Sequence, residues 1–205
     1  MEFALDQALE TLLPSQQKVC AQLKTYVQLL WRWNQTYNLT GFKTDQEIFT
    51  EFIEQSAQVS PHLQGQFFVD LGTGAGIPGL MLAILRPELS FLLIDSNGKK
   101  IRFLQHVIQA LQLTHVRAQQ IRIEDFKTET PIDGLLTKAF APLDRMRLLC
   151  QHLPIHRFYA LKGPQGVEEV TKLKIQSKII PLNSQQNKPF YLIIIDANLL
   201  QSDCK

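Results

Sequence analysis

A glycine-rich segment, residues 70–79, limits the folds that this chain can adopt. Its sequence is DLGTGAGIPG, and it lies between two short apolar runs. The preceding run, residues 67–69, has the length and composition of a β-strand, and residues 80–85 continue with apolar residues at helical spacing. Glycines at such a junction permit a sharp turn and a close approach of the backbone to a ligand. The pattern predicts a strand, a turn and a helix whose N-terminus receives the charged end of a nucleotide-like ligand.

The second apolar run, residues 91–94, ends in Asp95, which follows Gly72 by 23 residues. In a strand–helix–strand unit of this kind, a carboxylate at the end of the second strand can accept hydrogen bonds from both hydroxyls of a ribose. We therefore predict that Asp95 binds the ribose of a nucleoside cofactor.

The register of the glycines is compatible with two cofactors. Read from Gly72, the spacing Gly-x-Gly-x-Gly suits S-adenosylmethionine, which has an amino-acid tail and no pyrophosphate. Read from Gly74, the glycines at 74, 76 and 79 also match the dinucleotide pattern G-x-G-x-x-G. Asp70 favours the methyl donor, because its carboxylate can take up an ammonium group that a dinucleotide lacks. The nicotinamide dinucleotide remains the alternative.

Helical and strand-like patterns alternate along the rest of the chain. Residues 15–36 and 45–57 are predicted to form amphipathic helices, the first with Ser15 as its N-cap. Further strands are predicted at 116–121, 134–137, 157–161 and 190–195, and helices at 99–113, 143–152 and 167–173. The alternation predicts an α/β fold with a doubly wound, mostly parallel, Rossmann-like sheet and N-terminal helices packed on it. We expect a helical appendage, residues 1–60, and a donor-binding domain, residues 61–205, in one compact unit.

Composition narrows the possible classes of protein. The chain has 205 residues with 45% hydrophobic content and a net charge of +2, which is ordinary for a globular domain and not strongly basic. Its three cysteines, Cys20, Cys150 and Cys204, are far apart and form no C-x-x-C pair. No leader or membrane-spanning run is recognisable, the histidines lack metal-ligand spacing, and G-x-S-x-G is absent. We expect a cytoplasmic protein without a membrane segment or metal, and a hydrolase is disfavoured.

Ligands of doubly wound sheets bind beyond the carboxyl ends of the strands, which selects further candidates. Ile123 and Glu124 follow the third predicted strand and suit an adenine ring and its amino edge. Lys138 and Phe140 follow the fourth strand, where a substrate approaches the methyl group, and Lys162 follows the fifth. Each has a plainer interpretation that the sequence leaves open: acids capping a turn, a buried ring, or exposed lysines.

Six short motifs in this order resemble the RsmG family, also called GidB. The resemblance runs from about residue 33 to residue 163. The motifs are NLT at 38–40, DLGTGAGIPG at 70–79, LIDS at 93–96, KKIRFL at 99–104, KAFA at 138–141 and FYALKG at 158–163.

The resemblance implies the fold of S-adenosylmethionine-dependent methyltransferases and methylation of guanine N7 in the 16S rRNA of the bacterial small ribosomal subunit. A monomer is expected. The implied donor contacts, together with those predicted above, are Asp70, Gly72, Gly74, Ile77, Asp95, Ile123, Glu124 and Lys138. Lys138 and Lys162 are the candidates for holding the guanine O6 edge or adjacent phosphates. Guanine N7 carries a lone pair and no proton, so no residue is predicted to act as a general base.

The chain also departs from the family pattern. Where the family usually has Arg-His and then Asp-Ser, this chain has Glu51-Phe52 and then Gln55-Ser56. Lys138 stands where the family usually has arginine, and lysine lacks the planar fork of a guanidinium group. Two alternatives to an active rRNA methyltransferase stay open: a nicotinamide-dependent oxidoreductase, which the glycine spacing allows, and a donor-binding RNA module that has lost turnover through these substitutions.

Overall fold

Seven strands form a single sheet in the computed structural model, which describes residues 4–183 and 189–198. The strands are β1 (Phe67–Leu71), β2 (Ser90–Asp95), β3 (Val116–Gln120), β4 (Gly134–Lys138), β5 (Arg157–Lys162), β6 (Lys178–Leu182) and β7 (Phe190–Asp196). Their order is β3-β2-β1-β4-β5-β7-β6; β1 to β5 pair in parallel, and β7 is antiparallel to both its neighbours. The predicted doubly wound, mostly parallel sheet is confirmed.

Helices cover both faces of this sheet. They are α1 (Leu5–Leu12), α2 (Gln17–Tyr37), α3 (Asp45–Ile48), α4 (Gln55–Val59), α5 (Gly79–Leu85), α6 (Gly98–Ala110), α7 (Leu143–Cys150) and α8 (Pro164–Lys172). A π-helical segment, Phe49–Glu54, joins α3 to α4, and a short 3-10 turn, Ser60–His62, follows. The sequence patterns did not predict α1, β6 or the π-helical segment.

The two predicted N-terminal helices begin in different ways. Ser15 was predicted to cap the first, but it has φ of 65°, and α2 begins two residues later at Gln17 without a side-chain cap. The second helix begins at Asp45 as predicted, because Thr44 and Glu47 form a capping box. The Thr44 hydroxyl accepts from the Glu47 backbone N–H at 3.2 Å, and the Glu47 carboxylate accepts from the Thr44 N–H at 3.1 Å.

Apolar side chains alternate between the two faces of the sheet and build two cores. On one face Phe68 packs with residues of α2, α5 and α6, among them Leu23, Leu80 and Phe103. On the other face Val69 packs with residues of α7 and α8. The N-terminal helices are thus joined to the sheet through a shared core, as predicted. The proposed boundary at residue 60 stays a prediction.

One hydrogen bond ties the N-terminal helices directly to the glycine turn. Tyr26, which is fully buried in α2, donates its hydroxyl to the carbonyl oxygen of Ala75 at 2.9 Å. Burial raises the pKa of this phenol far above its ordinary value, so it remains a donor. The turn is therefore held from the helical side as well as by its own strand.

Candidate functional site

A cleft of about 490 Å³ opens at the carboxyl ends of the parallel strands. This volume lies within the roughly 300–1,000 Å³ typical of small-molecule sites. The lining residues come from the ends of β1, β2 and β3, the segment after β4, and α7. They are Leu71, Gly72, Ile94, Asp95, Ser96, Ile121, Arg122, Ile123, Glu124, Phe140, Ala141, Pro142, Arg145 and Leu149.

Gly72 forms the floor of the cleft where the glycine turn leaves β1. Its backbone N–H donates to the Ile94 carbonyl oxygen at 2.9 Å, and its φ of 69° is one that side chains disfavour. A Cβ at this position would lie 2.8 Å from the Cδ2 atom of Phe140. Only a glycine therefore lets the Phe140 ring lie directly against the turn.

Asp70 lies beneath the turn and outside the cleft lining. Its side chain is fully buried, and Oδ2 accepts from the Thr73 hydroxyl at 2.6 Å and from the Gly79 N–H at 2.9 Å. Oδ1 is buried and has no hydrogen-bond partner within the described part of the chain. The carboxylate holds the turn to α5, and its contact with an ammonium group stays a prediction.

Burial of Asp70 makes stability depend on pH. Desolvation raises the pKa of this carboxyl from 3.8 to about 7, against the opposing effect of its two donors. The folded state therefore binds the proton more tightly than the unfolded state, so the stabilisation is complete at low pH and is lost as pH rises toward 7. We expect the free energy of unfolding to fall by roughly 2–3 kcal/mol between about pH 5 and about pH 8. Urea unfolding should show that Asp70→Asn lacks this slope; equal slopes in the two proteins would contradict the assignment.

Asp95 lies in the cleft wall, where the sequence placed it. Its Oδ2 accepts from the Gly74 N–H at 3.0 Å, and its Oδ1 accepts from the Asn97 N–H at 2.8 Å. The Lys100 ammonium lies 3.9 Å from Oδ2. Each carboxylate oxygen keeps a second lone pair, so Asp95 can accept from a pair of hydroxyls while it holds the turn.

The segment after β3 supplies an apolar wall and an acid. Ile123 is 5% exposed and packs with Phe126, whereas Glu124 is exposed at the cleft rim. Ile94 and Ile121 add to the apolar surface beside them. The wall can receive a flat ring, and Glu124 offers an acceptor at its edge.

Lys138 points away from the cleft toward the N-terminal helices. Its ammonium donates to the Glu51 carbonyl oxygen at 2.6 Å and to Gln55 Oε1 at 2.8 Å, and the Glu51 carboxylate lies 3.5 Å away. The rings of Phe52 and Phe190 lie 5.9 and 5.3 Å from it. Burial lowers the pKa of Lys138, and the charge of Glu51 opposes that shift. The ammonium is thus held by protein acceptors.

The side chain of Lys162 is also held by acceptors of the protein itself. Its ammonium donates to the Ala141 carbonyl oxygen at 2.8 Å and to Glu169 Oε2 at 2.9 Å. Its side chain is 12% exposed. The contacts of Lys138 and Lys162 with RNA or donor stay predictions.

The sequence-derived candidates fall into two groups. Five of them line the cleft together: Gly72, Asp95, Ile123, Glu124 and Phe140. The others lie near it without lining it: Asp70, Gly74, Ile77, Lys138 and Lys162. Leu149 in α7 was missed, although its position on an amphipathic helix next to the cleft is a usable signal. Arg122 and Arg145 also line the cleft.

Residues 4–183 and 189–198 contain no cluster of His, Cys, Asp or Glu side chains that could hold a metal ion. No helix within the same ranges is long and apolar enough to cross a membrane. Cys20 and Cys150 are buried free thiols, and Cys204 lies outside the described residues.

The strand order and the cleft at the carboxyl edge define a methyltransferase fold. A SAM-dependent methyltransferase from Aquifex aeolicus matches with a TM-score of 0.55 at 13% identity, covering 77% of this chain and 97% of that one. A precorrin-6y C5,15-methyltransferase from Geobacter metallireducens matches with a TM-score of 0.53 at 14% identity, covering 76% and 90%. At these identities the likeness concerns the fold alone.

Within that class, the chain belongs to the GidB family. The family model, described as rRNA small subunit methyltransferase G, matches residues 19–190. A ribosomal RNA small subunit methyltransferase G from Serratia proteamaculans is 44% identical over 193 residues, covering 91% of this chain and 93% of the relative. One of the same name from Yersinia enterocolitica is 46% identical over 164 residues, covering 78% and 79%. The resemblance found in the sequence motifs is confirmed.

Proposed function

We propose that this protein transfers a methyl group from S-adenosylmethionine to N7 of a guanine in the 16S rRNA of the small ribosomal subunit. The observation that supports the proposal is the cleft, which is lined by a glycine turn, by a carboxylate placed to bind a ribose, and by an apolar wall. The chain that forms this cleft belongs to the GidB family. Family membership favours the methyl donor over the nicotinamide dinucleotide that the glycine spacing also allowed.

The residues of the cleft fit this donor. Gly72 presents bare backbone to the amino-acid tail, Asp95 has lone pairs for the ribose hydroxyls, and Ile123 offers an apolar surface to the adenine. Glu124 lies at the rim as an acceptor for the adenine amino group. The donor supplies an electrophilic methyl group on a sulfonium. Ile77, Gly74 and Asp70 lie behind this surface and shape the turn.

No proton has to be removed from guanine N7 before it attacks, so the protein's task is alignment. A nucleophile held about 3–3.5 Å from the methyl carbon and in line with its leaving group gains most of the available acceleration. Because N7 has no proton to lose, we assign no general base. The acids of the cleft lining, Asp95 and Glu124, keep their proposed roles in binding the donor.

Basic side chains at the cleft mouth suit a polyanionic substrate. Arg122 and Arg145 are exposed and line the opening. They can pair with phosphates of the RNA backbone, an interaction that weakens with salt. We propose that these two arginines contact the RNA backbone and that the protein acts as a cytoplasmic monomer.

The direct test is methyl transfer to small ribosomal subunits that lack the modification. Labelled S-adenosylmethionine is incubated with these subunits, and nuclease digestion identifies the labelled nucleoside. We expect label in 7-methylguanosine of the 16S rRNA and none in large subunits. S-adenosylhomocysteine should raise the melting temperature in the same preparation, whereas NAD should not. Donor binding without transfer to these subunits would contradict the proposal and favour an RNA module without turnover.

A further inference from the structure

The segment from residue 139 to residue 142 forms one wall of the cleft, between β4 and α7. It carries Phe140, whose ring lies against Gly72. Ala139 has φ of 52°, in the left-handed region that a residue with a Cβ rarely adopts. A segment with this conformation persists only where its surroundings hold it. Each of its two ends is held by a partly buried lysine.

The first lysine, Lys138, precedes the segment and reaches the N-terminal helices. Its acceptors are the Glu51 carbonyl and the Gln55 side chain, and the Gln55 amide in turn donates to the Glu51 carboxylate at 3.1 Å. Glu51 belongs to the π-helical segment, where backbone bonds run from i to i+5 and which is a common feature of functional sites. The network therefore connects β4 to a specialised turn 87 residues away in the chain.

The second lysine, Lys162, holds the other end. Its ammonium binds the Ala141 carbonyl oxygen inside the segment and the Glu169 carboxylate of α8. The same oxygen of Glu169 accepts from the Leu143 N–H, at 2.8 Å, where α7 begins. The bond from Lys162 therefore fixes the segment to β5, and the bond to Glu169 fixes the start of α7 to α8. The ion pair between Lys162 and Glu169 connects these two hydrogen bonds.

We propose that Lys138 and Lys162 are positioning residues that act through the protein: they fix the Phe140 wall against which donor and target base are aligned. The proposal rests on the proposed function and deepens it. A direct role in RNA binding would depend on the lysines alone. A positioning role depends equally on the residues that accept their hydrogen bonds, which are Glu51, Gln55 and Glu169. The N-terminal helices thereby take part in alignment at the cleft.

The test compares variants of both lysines with a variant of Glu169, the side-chain acceptor of Lys162. Single-turnover methyl transfer is measured with saturating donor for Lys138→Met, Lys162→Met, Glu169→Gln and the double variant K162M/E169Q. We expect each single variant to lower the rate by on the order of tenfold to a hundredfold, and the double variant to lose no more than the worse single one. Lys172→Met, which removes an exposed charge from α8, is the matched control and should keep the wild-type rate.

Salt dependence separates positioning from phosphate binding. A lysine that pairs with a phosphate changes the slope of log affinity for subunits against log salt by about one when it is removed. We expect the slopes of K138M and K162M to equal the wild-type slope. A slope lowered by about one in K162M, with an unaffected rate in E169Q, would overturn the proposal in favour of direct RNA contact.

Hydrogen exchange measures the anchoring independently of turnover. Amides of residues 139–141 and of Leu143 should exchange at least about tenfold faster in K138M and K162M than in wild type, while amides of the distant strand β2 keep their rates. Unchanged exchange at these four amides would overturn the proposal even if wild type transfers methyl groups. Absence of transfer by wild type would contradict the proposed function alone, since the exchange experiment still decides whether the lysines fix the segment.

Discussion

Replacing Gly79 with alanine is expected to lower the free energy of unfolding by about 3–5 kcal/mol. Gly79 is the first residue of α5 and is buried against β1. A Cβ there would lie 2.5 Å from Asp70 Cβ and 2.6 Å from Leu93 Cδ2. The leucine can rotate, but the Asp70 Cβ belongs to the central strand, so α5 has to move away. That movement also weakens the bond from the Gly79 N–H to the buried Asp70 carboxylate.

A glycine in open surroundings provides the control for this variant. Gly163, at the start of α8, has nothing within 4 Å of an added Cβ and a φ of −73°. Gly163→Ala is expected to change the free energy of unfolding by less than about 1 kcal/mol. Urea unfolding at one pH measures both variants. An equal, small effect for Gly79→Ala would show that the contact between α5 and β1 is looser than these distances indicate.

The sheet could be predicted from the sequence because most of its strands are short apolar runs bounded by turn residues. Strand β6 was not predicted, and the reason is physical. It lies at the edge of the sheet, its residues are mostly exposed, and Pro181 interrupts its ladder of N–H donors. The π-helical segment was not distinguished from an α-helix because the spacing of its buried residues fits both. Neither feature alters the strand ends at which the candidate site is built.

The candidate site could be predicted best at the ends of strands, where the backbone fixes the position of each residue. Gly72 and Asp95 were found because the turn and the strand end fix their positions. The lysines were correctly placed at strand ends, but sequence spacing gives no information about the direction of a long side chain or about its partner. For Lys138 the partners lie in a helix far away in the chain.

The departures from the family pattern have a common location in the structure. Glu51, Phe52, Gln55 and Lys138 were noted separately in the sequence, yet all four meet around one ammonium group. The compact charge of Lys138 is surrounded here by a carboxylate, an amide and a ring. These four residues therefore form one contact between the N-terminal helices and β4.

Replacing Asp95 with alanine is expected to weaken the binding of S-adenosylhomocysteine by on the order of a hundredfold. The variant removes the acceptor proposed for two ribose hydroxyls, and a hydrogen bond to a charged group contributes about 1.5–3 kcal/mol. It also frees the N–H of Gly74 and thereby loosens the turn. Asp95→Asn keeps one acceptor oxygen without the charge, so we expect a smaller loss, on the order of tenfold. Calorimetric titration measures both affinities.

The exposed acid Asp125 provides a control that distinguishes a specific contact from a general effect of charge. It is exposed in the turn after β3 and is not part of the cleft lining. Asp125→Ala removes the same charge and should leave the dissociation constant within about twofold of wild type. Melting temperatures without ligand show how much the loosened turn costs in stability. A wild-type affinity in Asp95→Ala would place the ribose elsewhere in the cleft, whereas equal losses in both alanine variants would mean that the acids act through their summed field and not through hydrogen bonds to the ribose.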